Sequence, residues 1–316
     1  MGWRRATHSS RAQLPRGHSG LRQGNDLLRG RGVRRRSHGV SLLSYIPSPG
    51  SGSIHLGPLQ LRAYGLMIAL GVIIAVRIWG KRLALIGVGG SEEANNVAVW
   101  AVPAGVIGAR LYHVATEWNR FSDDPVAIVQ IWKGGLGIPG GMLLGIVVGA
   151  WAIKRQGMPI GPAMWAVAPA LPVAQAVGRW GNWWNQELFG RPTTLPWGLK
   201  VDADKVAAAG YDPGTLFHPT FLYESLWNLA LAVVLIVVGR RIMHSRPGRL
   251  LAGYVIGYGI GRFWVEGLRI DPAKEGAGLR LNQWMAIVLV VGGVLWLLVD
   301  ARRSRVHYRQ EHVEQS

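Results

Sequence analysis

Seven stretches of about twenty mostly apolar residues dominate the chain, at roughly 61–79, 96–116, 134–153, 161–178, 219–239, 249–268 and 281–299. A helix rises about 1.5 Å per residue, so each stretch matches the ~30 Å hydrocarbon core of a bilayer. Lipid offers the backbone no hydrogen-bond partners, which makes helices the solution for runs of this length. The run from Leu281 is the clearest, and the fourth and sixth are the weakest by hydropathy. The expected fold is therefore an all-α polytopic membrane protein with about seven transmembrane helices. A small extracytoplasmic arm is expected between spans four and five, where a long polar connection follows residue 178. Residues 53–300 form the expected membrane domain, residues 1–52 a basic extension and residues 301–316 a polar cytoplasmic tail.

Composition narrows the chemistry. With 49% hydrophobic and 16% charged residues and a mean hydropathy of +0.18, the chain is too apolar for an ordinary soluble enzyme. It has no cysteine, which excludes disulfides, thiolate metal sites and a thiol nucleophile of its own, so any sulfur chemistry belongs to a substrate. The net charge of +18 resembles a nucleic-acid signal, yet residues 1–40 alone hold ten Arg and one Asp. That tail lacks an apolar signal core and reads as disordered; a translation start set upstream of Val40 explains it more readily than a functional arm. Arg34, Arg35 and Arg36 could touch nucleic acid or anionic lipid, but no nucleic-acid partner is expected. Lys and Arg in the connections number twelve on one side, including Arg240, Arg241, Arg302 and Arg303, against eight on the other. This bias puts the C-terminus in the cytoplasm and the start of the first span outside.

The most concentrated chemistry is GRWGNWWNQELFG at 178–190, which interleaves Arg179, Asn182, Asn185 and Glu187 with Trp180, Trp183 and Trp184. Guanidinium and carboxamide donors suit a phosphate, and indoles suit the membrane interface. In the sixth span Tyr258, Arg262, Glu266 and Arg269 follow spacings of 4, 4 and 3, which is one helical face. Charges within a span are costly and normally face the bundle interior. Here either a structural ion pair or a site wall fits, and the second arginine leaves a positive excess suited to an anion. Arg110 and His113 share a face at the end of the second span, with Arg110 placed either in the site or in its support. Tyr64 opens the first span as a pocket residue or an interfacial aromatic, whereas His218 and Glu224, before and in the fifth span, read as structural. The glycines of GGLGIPGGMLLG at 134–145 permit close helix packing or irregular backbone. No cluster has metal-ligand spacing and no Gly-rich loop lies between a strand and a helix, so neither a metal nor a cofactor is expected.

Taken together, YGLM at Tyr64, GAR at 108–110, the long signature, HPTFLYES at 218–225 and YGIGRFWVEGLR at 258–269 resemble the prolipoprotein diacylglyceryl transferase family. The signature is similar to the family's GRxGNxxNxExxG at Gly178, Arg179, Gly181, Asn182, Asn185, Glu187 and Gly190. The resemblance covers about 60–300. It implies a multi-pass enzyme of the bacterial inner membrane with its site facing the outer leaflet. Such an enzyme moves the diacylglyceryl group of phosphatidylglycerol onto the lipobox cysteine thiol of a prolipoprotein signal peptide, forming a thioether and releasing glycerol 1-phosphate. One departure stands out: the family often carries a histidine where this chain has Pro139, and proline takes no proton. Glu266, Tyr258 or Glu187 then assists, or the positive site lowers the substrate thiol pKa enough to need no base.

On this reading Arg179 and Arg262 receive the leaving group's charge, Glu187 orients Arg179 or the glycerol hydroxyls, and Glu266 holds Arg262. Tyr258 and Tyr64 line the pocket. Asn182, Asn185, Gly190 and Arg110 complete the substrate-binding set. Two rivals remain: a transporter or channel for anionic solutes, and a phosphatidylglycerol-dependent glycerophosphate transferase with a sugar acceptor.

Overall fold

A computed structural model describes residues 45–313, apart from 51, 57–58, 123, 132–133 and 242–246. The arginine-rich tail lies outside the described residues. Strand β1 (Ile46–Pro47) and the hairpin β2 (Ser53–Leu56) and β3 (Leu59–Arg62) precede helices α1 (Ala63–Leu85), α2 (Ser91–Thr116) and the single turn α3 (Trp118–Phe121). A 3-10 turn (Pro125–Val129) leads to α4 (Ile138–Arg155), α5 (Ile160–Val167) and α6 (Ala170–Asn185). Then come β4 (Leu199–Lys200), α7 (Ala203–Ala208), β5 (Leu216–Phe217), α8 (Thr220–Arg241) and α9 (Pro247–Leu268). Strands β6 (Glu275–Gly276) and β7 (Leu279–Arg280) precede α10 (Leu281–Val313).

Among the described residues six segments are long and apolar enough to cross a membrane, counting α5 and α6 as one run from 160 to 185. Helix α9 is as long as α8 at 22 residues but carries Arg249, Arg262 and Glu266. The long helices keep apolar side chains on the outer surface, for example Val288 at 60% and Leu143 at 69% exposure, as expected where lipid replaces water. The fourth apolar run ends seven residues later than hydropathy suggests, because Arg179, Asn182 and Asn185 recur every third residue and extend α6 along one polar face. It is also broken: α5 stops at Val167, and Pro169 and Pro172, which lack backbone N–H groups, flank the restart.

One core gathers Trp79, Leu83, Val97, Ile153, Trp165, Leu235 and Leu250 from α1, α2, α4, α5, α8 and α9. Helices α2 and α4 touch through their backbones: a Cβ on Gly108 would lie 2.4 Å from the Gly140 carbonyl oxygen, and one on Gly140 would lie 2.3 Å from that of Gly108. The polar connection after α6 builds a small arm in which β4 pairs parallel with β1 and antiparallel with β5. Phe189, Leu199, Val201, Val206, Phe217 and Phe221 form its own core. Ile46 and Pro47, which fall within the stretch 1–52 set apart by composition, pair with this sheet. Helices bring the starts of α1, α8 and α10 and the ends of α2, α6 and α9 to one end of the bundle, beneath the arm.

Candidate active site

Helix α6 ends in a left-handed residue, Gln186 at φ 51°, followed by Leu188 at φ 59°. This reversal swings Glu187 back over the last helical turn. Its Oε1 accepts hydrogen bonds from Asn182 Nδ2 at 2.9 Å and Asn185 Nδ2 at 3.3 Å. Gln186 itself is buried; its Nε2 donates to Pro49 O at 2.7 Å, and its Oε1 accepts from the Asp202 amide at 2.7 Å. Trp183 Nε1 donates to Pro47 O at 3.0 Å. The chain before α1 and the arm are both tied to the end of α6.

Arg179 does not pair with Glu187. Its Nε meets Glu224 Oε2 at 2.7 Å, one helix away on α8, and Glu224 Oε1 faces Arg262 Nη1 of α9 at 3.4 Å. Glu224, first read as structural, therefore joins the two arginines of the signature and the polar stripe. The stripe continues: Glu266, with no exposed surface, pairs through Oε2 with Arg262 Nη2 at 2.8 Å and Arg269 Nη1 at 3.2 Å, and through Oε1 with Arg280 Nε at 3.1 Å. Asn282 Nδ2 donates to the same Oε1 at 3.1 Å. Asp271 closes the chain against Arg269 and Arg280 at 2.8 and 3.0 Å. Four guanidiniums (Arg179, Arg262, Arg269, Arg280) face three carboxylates, leaving one positive charge over. Burial pushes the Asp271 carboxyl up, but the hydrogen bonds and charge of Arg269, with Arg280 behind it, outweigh this and hold it below the usual carboxylate range.

The surplus is placed where a ligand can reach it. The side chains of Arg179 and Arg262 keep 20% and 14% of their surface, whereas those of Arg269 and Arg280 keep 5% and 9%. Arg179 approaches Glu224 through Nε. Asn228, one turn beyond Glu224 on α8, is buried with Oδ1 lacking a hydrogen-bond partner among the described residues. Beside Asn185 and Glu187 a cavity of about 430 Å³ opens under the arm, bordered by Arg62, Lys205 and Asp202.

The other candidates take different places. Tyr64 packs on Gly181, where a Cβ would meet Tyr64 Cδ2 at 2.6 Å. Tyr258 lies one turn below Arg262, stacked on Tyr254 with ring centroids 6.0 Å apart. Gly190 is a crossing point: its amide donates to His218 O at 3.0 Å, it bridges to Arg269, and a Cβ would lie 2.8 Å from His218 Cβ. It lets two chains approach and presents no group of its own. Arg110 is buried and spends its donors on four backbone carbonyls of the connection between α2 and α4. It thereby braces that connection at the bundle end. His218 Nδ1 and Tyr223 Oη are 3.1 Å apart.

The sequence profile described as prolipoprotein diacylglyceryl transferase matches residues 52–299. The chain is 47% identical over 265 residues to phosphatidylglycerol--prolipoprotein diacylglyceryl transferase 2 of Streptomyces coelicolor (strain ATCC BAA-471 / A3(2) / M145), covering 83% of this chain and 82% of that one. The chain belongs to the prolipoprotein diacylglyceryl transferase family. The phosphatidylglycerol--prolipoprotein diacylglyceryl transferase of Frankia alni (strain DSM 45986 / CECT 9034 / ACN14a) is 48% identical over 262 residues, with 81% and 68% of the two chains covered. That of Rhodococcus jostii (strain RHA1) is 43% identical over 278 residues, with 83% and 77% covered. In this member of the diacylglyceryl transferase family, Pro139 occupies the first turn of α4, where its missing N–H would be unpaired anyway. Reading the sequence underrated Glu224, because its partners come from two other helices, and missed Arg280, which sits after a turn at the foot of α10. The one usable signal was local: Arg262 and Arg269 share the single acid Glu266 in the stripe, which asks for a further acid.

Proposed function

We propose that the chain transfers the diacylglyceryl group of phosphatidylglycerol to the lipobox cysteine thiol of prolipoproteins, with Arg179 and Arg262 receiving the charge of the departing phosphate. The observation that carries this reading is the convergence of both guanidiniums on Glu224 at one end of the bundle. In the resting site Glu224 holds the two cations in place; an entering phosphate shares them. The substrate thiol loses its proton as its sulfur attacks the glyceryl carbon, the carbon–oxygen bond to phosphate breaks, the electron pair leaves with glycerol 1-phosphate, and the proton ends on that phosphate or in solvent. Charge grows on the phosphate oxygens during that step, so cationic donors fixed in advance lower the barrier. Glu266 keeps Arg262 aligned, and Tyr258 and Tyr64 line the pocket. Asn182 and Asn185, braced by Glu187, face the headgroup from the cavity side. The thiol arrives with the second substrate, consistent with a chain that has no cysteine.

The proposed setting is a bacterial inner membrane crossed seven times, the C-terminus in the cytoplasm and the site at the outer leaflet, which the Lys and Arg bias supports. The test is a mass measurement. Purified enzyme incubated with phosphatidylglycerol and a lipobox peptide should add a diacylglyceryl mass to the thiol peptide and none to its Cys→Ser form. Arg179→Lys keeps the charge and loses the two-pronged donor, and its turnover should fall by about 100-fold or more with insertion intact. Unchanged turnover in that variant would remove Arg179 from the reaction.

A further inference from the structure

The connection between α2 and α4 runs over residues 117–137, described apart from 123 and 132–133. Beside the exposed polar residues Glu117, Asn119, Arg120, Ser122 and Asp124 it carries exposed apolar side chains, with Val126 at 64%, Val129 at 66%, Ile131 at 44% and Leu136 at 48% exposure, an amphipathic surface. Ile138, 75% exposed, and Met142, 57% exposed, carry apolar surface on into α4. Helix α4 has 18 residues, so it spans about 27 Å, short of the ~30 Å hydrocarbon core. The residues just before it must then lie at the depth of the lipid tails or at their border.

Irregular backbone at that depth is tolerated only when its polar groups are satisfied from within. Arg110 does this. Buried in α2, it donates from Nε to Ile128 O at 2.8 Å, from Nη1 to Gly134 O at 2.7 Å and Gly135 O at 2.8 Å, and from Nη2 to Ala127 O at 2.5 Å. Its guanidinium lies 5.0 Å from the centre of the Phe121 ring. Three amides are paired as well, Gln130 to Ala127 O, Gly134 to Ile131 O and Gly137 to Ala109 O, while the buried Gln130 Oε1 has no hydrogen-bond partner among the described residues. Gly134 and Gly135, at φ 92° and 76°, turn their carbonyls to the guanidinium in a conformation that side-chain-bearing residues rarely adopt.

We infer that the described residues between 117 and 137 form an amphipathic interfacial wedge seated among phospholipids at the border of headgroups and acyl chains, at the bundle end that holds Arg179 and Arg262, with Arg110 as its positioning residue. Gly134 lies beside Arg62, which borders the cavity under the arm, so the wedge flanks the side from which a lipid would approach.

The chain lacks cysteine, so single cysteines can be introduced into the full-length protein without removing others. Val129→Cys, with Asp204→Cys on the exposed arm helix as reference, would each be nitroxide-labelled and reconstituted in vesicles of phosphatidylglycerol and phosphatidylethanolamine. Collision rates with oxygen, which partitions into lipid, and with a water-soluble nickel chelate give the depth. The ratio of oxygen to nickel accessibility at 129 should exceed that at 204 by about fivefold or more. Equal ratios would place the loop in water and overturn the inference, and so would spin–spin broadening at 129, which would mean a second copy covers it. Arg110→Lys in the Val129→Cys background retains charge but loses the fan of donors. It should raise nickel accessibility at 129 and leave 204 unchanged; no change at 129 would remove Arg110 from the positioning role.

Discussion

Glu266→Gln is the sharpest probe of the charge network, because it removes one formal charge and almost no volume. Glu266 has no exposed surface, and its oxygens meet Arg262, Arg269, Arg280 and Asn282 within 3.2 Å. Whichever way the new amide turns, its NH2 faces two groups that are themselves donors. Three guanidiniums lose a shared counter-charge, although Glu224 still serves Arg262 and Asp271 still serves Arg269 and Arg280. Breaking a buried ion pair by neutralising one partner costs about 3–5 kcal/mol, and the remaining acids put this case near about 3. An ordinary hydrogen bond between membrane helices contributes only about 0.6 kcal/mol, so the two accounts are well separated. Reversible unfolding of the reconstituted protein in mixed micelles of rising sodium dodecyl sulfate fraction measures the difference directly. A loss below about 1 kcal/mol would refute the claim that Glu266 is the electrostatic centre of this end.

Two further outcomes follow from single features. Gly181→Ala places a methyl carbon 2.6 Å from Tyr64 Cδ2 and 3.0 Å from its Cα; since backbone cannot step aside, α1 and α6 must separate, at about 1–3 kcal/mol in the same unfolding assay. Asp271 has a folded pKa below its unfolded value of about 3.9, so its contribution is complete above the unfolded value and is lost as pH falls through the folded one. Stability followed by tryptophan fluorescence should therefore show no Asp271-dependent change from about pH 5 to 8 and an acid decline only below about pH 4. Asp271→Asn should be less stable across the neutral range and shed that part of the acid dependence.

Much of the membrane architecture is legible because hydropathy reports burial in lipid residue by residue. The runs around 61–79, 96–116 and 281–299 correspond to α1, α2 and the first part of α10. Hydropathy failed where a helix turns polar: α6 continues through Arg179 to Asn185, since the period of three that marks a helical face is invisible to an average over the window. The stripe of Tyr258, Arg262, Glu266 and Arg269 was visible because its members share one helix. Contacts between helices were not. Glu224 bonds Arg179 and Arg262 from residues 45 and 38 positions away, and nothing local to HPTFLYES distinguishes that acid from one capping a helix. Arg110 was left between site and support for the same reason, since backbone carbonyls that bind it carry no mark in sequence.

The carbonyls of Pro47 and Pro49, which receive Trp183 and Gln186, belong to residues that precede the first membrane helix. Anyone trimming the arginine-rich leader for expression should therefore cut before Tyr45 and leave the Ile46 strand whole. A shorter version would still insert, yet it would strip two anchor points from the helix that presents Arg179, and poor turnover in such a preparation would report the trimming rather than the enzyme.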